Sequence, residues 1–334
     1  MSYLPLHPTS HPTSHPIPLL TSLATATDSM TTSASNFSDS LASLADELAR
    51  QSFPSGALYV VATPIGNLAD ITVRALKVLA LADAVACEDT RNTGQLLARY
   101  GLDKTMFAAH QHNEREVAQK IVERLRAGDR IALVSDAGTP AVSDPGARIV
   151  DAVIDAGLPV VPIAGPSAAI AALSASGLVA DQFHFIGFLP SKDKQRDTVL
   201  ALLASSAATL VIYEAPHRIA DTLAACERAF GAERRVLIAR ELSKLFEQLH
   251  RCQLGDAAAW IAADPNHQRG EFVLLVEAAP AKEDDGLAEA KKLLAILLEA
   301  CPVSQAAALA AKITGMKKNA LYTLALQMSQ QGDD

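Results

Sequence analysis

Three apolar runs, Leu58–Ala62, Arg130–Val134 and Pro159–Ile163, each give way at the carboxyl end to a loop of small residues. These loops read TPIGN from Thr63, SDAGTPAVSDPG from Ser135 and AGPSAA from Ala164. Short apolar runs that alternate with helical patterns predict an α/β sheet. In open sheets of that kind a ligand binds in the crevice outside the carboxyl ends of the strands. Gly and Pro there let backbone approach closely, and exposed amides and carbonyls suit a nucleoside-like ligand. Asp136 and Asp144 add negative charge that suits a cationic one. Ordinary tight strand-to-helix turns have the same composition, so the loops by themselves leave both readings open.

The remaining pattern extends this picture. Asp70 is expected to cap a helix running to about Leu81, and Ala84–Cys87 is a second strand that ends in Glu88-Asp89-Thr90-Arg91. Asn113 with Glu116 resembles a capping box, opening a helix that ends at Gly128. Helices from Pro145 to the stop at Gly157, and on to Gly177, complete a first domain. Strands near Phe183–Phe188, Leu210–Tyr213, Val236–Ala239 and Phe272–Glu277 then predict a second, mixed sheet. Residues 281–286 (AKEDDG) read as a charged linker. Helical segments at Leu287–Glu299, Ser304–Lys312 and Lys317–Met328 follow, and the Thr314-Gly315 turn fits either a helix-turn-helix or a plain small bundle. The expected organisation is an extension over 1–55, α/β domains over 56–178 and 179–280, and a helical module over 287–330.

Several function classes drop out. At 334 residues the chain has room for about two domains of roughly 150 residues each. Its 49% apolar and 20% charged residues are incompatible with wholesale disorder. No run of 18 uncharged apolar residues exists to span a membrane. Cys87, Cys226, Cys252 and Cys301 form no C-x-x-C pair, which suits a reducing cytosol. G-x-G-x-x-G after the first strand, the P-loop and the G-x-S-x-G elbow are all missing from the sequence, which disfavours ordinary dinucleotide folds, P-loop NTPases and α/β-hydrolases. A net charge of −8 repels nucleic acid, so an RNA partner would need a local basic patch. Residues 7–16, HPTSHPTSHP, are punctuated by proline and fit neither helix nor strand. Three histidines at spacing four admit a metal-binding reading, but a disordered tail or an overlong start is the simpler account. Leu41, Leu44 and Leu48 suggest one short amphipathic helix ahead of a folded body that begins near Gly56.

The motifs also carry a resemblance. TPIGNLADITVRAL, EDTRNT, HQHNE, SDAGTPAVSDPG, GPSAAIAALSASGL, FIGFLP, YEAPHR, RELSKLFE and GEFVLLVE occur in one order between Thr63 and Glu277. The series resembles the family of small-subunit ribosomal RNA cytidine 2′-O-methyltransferases, a branch of the tetrapyrrole-methylase-like enzymes. The segment with AAALAAKITGMKKNALYTLAL resembles that family's C-terminal helix-turn-helix-like module. Ala215 departs from the pattern, which has Ser in YEAPHR. The resemblance implies a class III, two-domain α/β methyltransferase that binds S-adenosyl-L-methionine in a cleft between its domains. Cofactor contacts would fall on Pro64, Gly138, Thr139, Pro140, Ser167, Tyr213, Glu271, Phe272 and Val273. The substrate would be a cytidine ribose of 16S ribosomal RNA, within the small subunit, in a cytoplasmic and homodimeric enzyme needing no metal or membrane.

A general base is the least defined part. In the EDTR run, Glu88, Asp89 and Arg91 either act on the hydroxyl and a phosphate or form an ion cluster that fixes the loop. His110 and His112 are further proton acceptors to consider, and a His-x-His metal site lacks a firm third ligand. Either Glu214 and Arg218 line the cleft, or Glu214 and His217 are caps at the start of a helix. Lys192, Lys194 and Arg196 form a basic loop after FIGFLP, and Lys312, Lys317 and Lys318 surround the Gly315 turn. Each group is either a solvated face or an RNA contact. Two other readings keep the same fold: a small-molecule methyltransferase of the tetrapyrrole type, and a non-catalytic RNA-binding assembly factor. The proline-punctuated tail makes one expectation simple to test: deleting residues 1–50 leaves activity and melting temperature nearly unchanged, and a large loss of either refutes it.

Overall fold

The computed structural model describes residues 43–44, 47–48, 50–110, 113–178, 181–280 and 285–330. The HPTS repeat and its histidines lie outside them. The chain divides into two compact units, with the break between Ser167 and Ala168 rather than after 178.

The first unit carries five parallel strands: β1 (Leu58–Val61), β2 (Ala84–Cys87), β3 (Met106–Ala108), β4 (Ile131–Val134) and β5 (Val160–Ile163), ordered β3-β2-β4-β1-β5. Helices cover both faces. Tyr59, Val61, Val85, Cys87, Ala132 and Val134 point to α1 (Val73–Leu81) and α2 (Thr90–Arg99). Their neighbours Leu58, Ala84, Ala86, Ile131 and Leu133 point the other way, to α3 (Glu114–Arg126) and α4 (Ala147–Asp155). Burial on both faces is why these strands read as unbroken apolar runs. The helix after β1 therefore covers one face and the helix after the adjacent β4 covers the other, which makes the β1–β4 border the topological switch point.

Several local details differ from expectation. Thr72, not Asp70, caps α1, its side chain accepting from Ala75 N at 3.1 Å. The EDTR run is the start of α2, with Asp89 as its cap. Asn113 does precede α3, but its side chain makes no cap bond and binds the chain behind it, at His110 N and Ala108 O. Glu116 pairs with Lys120 on the surface instead of closing a capping box. The buried acid is Glu114, which accepts from Gly146 N at 2.5 Å and so joins the first turns of α3 and α4.

The second unit opens with α5 (Ala168–Ser174), then β6 (Phe183–Phe188), α6 (Asp193–Leu203), β7 (Thr209–Glu214), α7 (Ile219–Phe230), β8 (Arg235–Arg240), β9 (Gln248–Gln253), α8 (Leu254–Ala263) and β10 (Phe272–Val276). The sheet order is β6-β7-β10-β8-β9, with only β6 and β7 parallel, so it is mixed as expected. α5 packs its Ala169 and Ala172 on Val211, Leu237 and Val273 of this sheet, which is why the break precedes it. Beside the β9 edge, Trp260 lies flat between His250 and His267, with ring centroids 4.4 and 3.9 Å away.

Helices α9 (Asp285–Ala300), α10 (Val303–Thr314) and α11 (Lys318–Gln330) share a core of their own, built on Ala290, Leu294, Ala306, Ala307, Ala310, Leu321 and Ala325. The helix thus begins inside the stretch taken as a linker, and residues 281–284 lie outside the described ones. Gly315 ends α10 at φ +71°, a left-handed cap that favours glycine. No helix among the described residues is long and apolar enough to cross a membrane. Near the amino end Leu48 is buried while Leu44 is exposed, so the segment before Arg50 hides at least one apolar side chain, which the expected dispensability of 1–50 did not allow for.

Glu114→Ala leaves the buried Gly146 amide without its acceptor and is expected to cost about 1–3 kcal/mol. Glu116→Ala removes only an exposed ion pair, for about 0.5 kcal/mol or less. Chemical denaturation of the two variants checks the contrast, and equal losses would show that Glu114 is no clamp.

Candidate active site

The loops after β1 and β4 leave the sheet toward opposite faces and are tied together where they part. Thr63 N donates to Gly138 O at 2.8 Å and Gly138 N returns a bond to Thr63 O at 3.1 Å. The Thr63 hydroxyl adds a bond to Ser135 O at 3.2 Å. Thr139 Oγ1 donates to Pro166 O at 3.1 Å, which brings in the loop after β5. Pro64, Gly138, Thr139, Pro140 and Ser167 therefore belong to one loop cluster at the carboxyl end of the first sheet. Gly138 sits at φ +77°, and a Cβ there would make only ordinary contacts, with Ile65 Cγ2 at 3.5 Å and Pro166 O at 3.9 Å, so its requirement is conformational. Gly165 answers to space: a Cβ would lie 2.9 Å from that of Ala62. Two non-glycine residues of the same region, Ala141 and Ser143, are held at φ +65° and +64°, a strained geometry that clusters at functional sites.

Carboxylates gather at this edge. Asp136 accepts from Asp89 N at 3.2 Å and from Asn92 Nδ2 at 2.7 Å. Asp89 accepts from the Arg91 amide, Nε and Nη2 at 2.8, 3.2 and 2.7 Å, and these bonds hold its carboxyl down at about 2. Burial pushes Glu88 up, with the Asp136 charge adding to it. Asp144 rises further, to about 6, first through burial and then through Glu88, against a hydrogen bond from Ser135. The Glu88-Asp89 pair thus separates into a tied, acidic member and a raised, basic one. Asp144 as a titrating group was missed from sequence because its shift comes from burial and from Glu88, 56 positions away, which no local pattern records. His112 lies outside the described residues, and among them no group of three or more His, Cys, Asp or Glu is placed to hold a metal.

In the second unit Tyr213 stands edge-on to Phe185 and Phe188, at 5.1 and 5.8 Å, and its hydroxyl accepts from Ala169 N at 3.2 Å. Val273 faces Tyr213 across the ladder and Phe272 faces Glu214, so four expected residues, Tyr213, Glu271, Phe272 and Val273, come together at one end of β7 and β10. Phe272 and Val273 are buried and paired on both sides. Glu271 is exposed, and Lys244 bridges it to Glu241 at 2.8 and 2.7 Å. Glu214 and Arg218 form a strut and not a lining: buried Glu214 accepts from Thr222 Oγ1 at 2.6 Å and pairs with Arg218 at 3.3 Å. Arg218 itself donates to Leu189 O and Pro190 O.

The basic loop is also corrected. Lys192 and Lys194 are exposed at the start of α6, but Arg196 is inside it, 4% exposed and paired with Asp193 at 3.0 Å. Its i, i+4 partner Leu200 is buried with it, a spacing that marks both as inward. Lys312, Lys317 and Lys318 are exposed around Gly315.

The first unit thus gathers small-residue loops at the carboxyl ends of its parallel strands, and the second is a mixed α/β sheet, a pairing that comparison with known families assigns to the methylases. The model of the Tetrapyrrole (Corrin/Porphyrin) Methylases matches residues 57–258, and that of the RsmI C-terminal HTH domain matches 284–329. The chain is 49% identical over 277 residues to "Ribosomal RNA small subunit methyltransferase I" of Escherichia coli O157:H7, covering 83% of this chain and 96% of that protein. The protein of the same name from Mesorhizobium japonicum is 50% identical over 280 residues, 83% of this chain and 95% of its own. Among solved structures, the methyltransferase CobJ superposes with a TM-score of 0.52 at 21% identity, covering 67% of this chain and 95% of CobJ, a likeness of fold. The chain belongs to the ribosomal RNA small subunit methyltransferase I family within the tetrapyrrole methylases.

The raised Asp144 sets a pH signature. A carboxyl whose folded pKa exceeds its unfolded one opposes folding above that range, and the penalty fades as pH falls through about 6 toward 4. Asp144→Asn is expected to stabilise the protein at pH 8 by about 1 kcal/mol, after allowance for solvent screening of a half-buried group, with no gain near pH 4. Melting temperatures across pH 4–8 check this; a gain independent of pH would overturn it.

Proposed function

We propose that the chain transfers a methyl group from S-adenosylmethionine to the ribose 2′-hydroxyl of a cytidine in 16S ribosomal RNA. The observation that carries this reading is the pairing, on one chain, of a methylase body with the C-terminal helix-turn-helix module matched at 284–329. A methylase acting on a small tetrapyrrole has no use for such a module. The relatives' names, which specify small-subunit ribosomal RNA, support the same substrate.

The loop cluster fits the proposed cofactor. Gly138 offers backbone with little side-chain bulk against it, and Glu88, Asp136 and Asp144 supply the negative charge that a sulfonium favours. Pro64, Gly138, Thr139, Pro140 and Ser167 of the first unit are the proposed cofactor contacts there, and Tyr213, Glu271, Phe272 and Val273 are those proposed in the second on the family resemblance. Phe272 and Val273, buried and paired, have van der Waals surface to offer and no free polar atom. When bound, the sulfonium supplies an electrophilic methyl and a good leaving group. The protein's share is alignment of the acceptor hydroxyl and removal of its proton. Of the EDTR carboxylates, Glu88 is the better acceptor, because burial has raised it while Asp89 is committed to Arg91. Asp89 positions Arg91, whose exposed guanidinium keeps Nη1 for a phosphate. Lys192, Lys194, Lys312, Lys317 and Lys318 are the proposed RNA contacts, and buried Arg196 is withdrawn from that set.

Mass spectrometry of ribosomal RNA nucleosides from cells with and without the gene tests the reading. Loss of 2′-O-methylcytidine from the small-subunit RNA, restored by the gene, is expected; an unchanged nucleoside profile overturns it. For the cofactor loop, Gly138→Val forces a β-branched residue to φ +77° and is expected to weaken cofactor affinity at least tenfold in calorimetry while RNA retention on a filter stays near normal. Collapse of RNA binding with cofactor affinity intact would reassign the loop.

A further inference from the structure

On the face of the first sheet covered by α3 and α4, the two helices leave a groove of about 420 Å3 between them. Its α3 wall carries Arg115 and Arg126, and its α4 wall carries Arg148. Ala118, Ala152 and Ala156 keep the space between the walls open. Because Glu114 ties the first turn of α3 to that of α4, Arg115 and Arg148 stand at one end. Arg126 is eleven residues further along α3, about 16 Å at 1.5 Å per residue.

We propose that this groove binds the sugar–phosphate backbone of the RNA substrate; the proposal rests on the ribosomal RNA reading above. Charge is the first reason. Among the described residues neither Arg115 nor Arg126 has a carboxylate within ion-pair distance. Arg148 reaches only the far oxygen of Glu114 at 3.9 Å, and the other oxygen of that carboxylate is engaged by Gly146. Glu123 is the single acid on the walls, so the lining is positive in a chain whose net charge is −8. Arg115 and Arg126 thus lack an acidic partner and Arg148 has only the long one to Glu114, and the planar fork of each matches a phosphate oxygen pair. Length is the second reason. A lone phosphate or a mononucleotide is too short to engage both ends, whereas a strand carrying several consecutive phosphates can reach from one to the other. The floor is alanine, and besides the three arginines the only polar side chains on the walls are Gln119 and Glu123, a lining dominated by phosphate-binding groups that suits backbone recognition more than sequence selection.

The test uses the full chain, an Arg115→Gln/Arg126→Gln variant and a fluorescently labelled 16S ribosomal RNA fragment titrated over a potassium chloride series. A matched Lys77→Gln/Arg99→Gln variant removes two charges from α1 and α2, on the opposite face of the sheet. Each phosphate contact contributes roughly 0.7–0.9 to the slope of log affinity against log salt, so the groove variant should be shallower by about 1.4–1.8. Its affinity at low salt should fall about tenfold, with the melting temperature and calorimetric cofactor affinity unchanged. The matched variant should lose less than half as much slope. An unchanged slope in the groove variant, or equal flattening in both, overturns the groove while leaving the methyltransferase reading intact. Wild-type protein that neither binds nor methylates the RNA would overturn both.

Discussion

The paired backbone bonds between Thr63 and Gly138 close the one point at which the first sheet would otherwise open. Strands β1 and β4 are neighbours, but their following helices go to opposite faces, so the chain must part at their carboxyl ends. An unbridged parting would leave main-chain donors and acceptors facing a crevice. The bridge satisfies them and fixes the two loops in register, and the Thr139 bond to Pro166 O extends the same frame to the loop after β5. With the loops held, the left-handed non-glycine residues Ala141 and Ser143 have something to be strained against, while Gly138 adopts its positive φ freely. Such strain persists only where the surroundings over-determine it.

The carboxylates depend on the same frame. Asp136, two residues before Gly138, holds the first turn of α2 through Asp89 N and Asn92. That turn in turn places Arg91 over Asp89. One strand end therefore presents a strongly acidic carboxyl and a raised one side by side, set apart by the Arg91 bonds on one and the burial of the other. The second unit solves a similar problem differently: Glu214 is spent as an internal tie between β7 and α7, leaving Tyr213 as the residue of that motif with a face among aromatics.

What was legible in the sequence follows from what is local. Doubly covered strands are continuous apolar runs, so β1, β2 and β4 could be read directly, as could β5 from its apolar Val160–Ile163 run despite its edge position, and the glycine stops at Gly157 and Gly315. The three-residue, half-buried β3 and the edge strand β9, whose half-buried Gln248, His250 and Cys252 alternate with exposed Leu249, Arg251 and Gln253, lack that signal because neither contains a buried apolar run. Helix α2 was hidden inside a motif read for chemistry, although Asp89 before Thr90 is an ordinary capping signal. Charged residues misled most where tertiary structure buries them. Arg196, Glu214 and Arg218 read as surface or cleft groups and are internal ties, and Glu114 took the structural role assigned to Glu116. The small-residue loops of the candidate site were visible because glycine and proline carry their geometry with them. The perturbed Asp144 was not, since its environment is assembled from three separate segments.

The Trp260 stack makes the two units optically unequal. This is the chain's single tryptophan, and it lies between two imidazoles in the second unit. Its emission reports the packing of β9 and α8 and is blind to the parallel sheet that carries the loop cluster. A fluorescence melt therefore follows half the molecule, and an unfolding of the first unit that precedes it would pass unseen unless circular dichroism or tyrosine absorbance is recorded alongside.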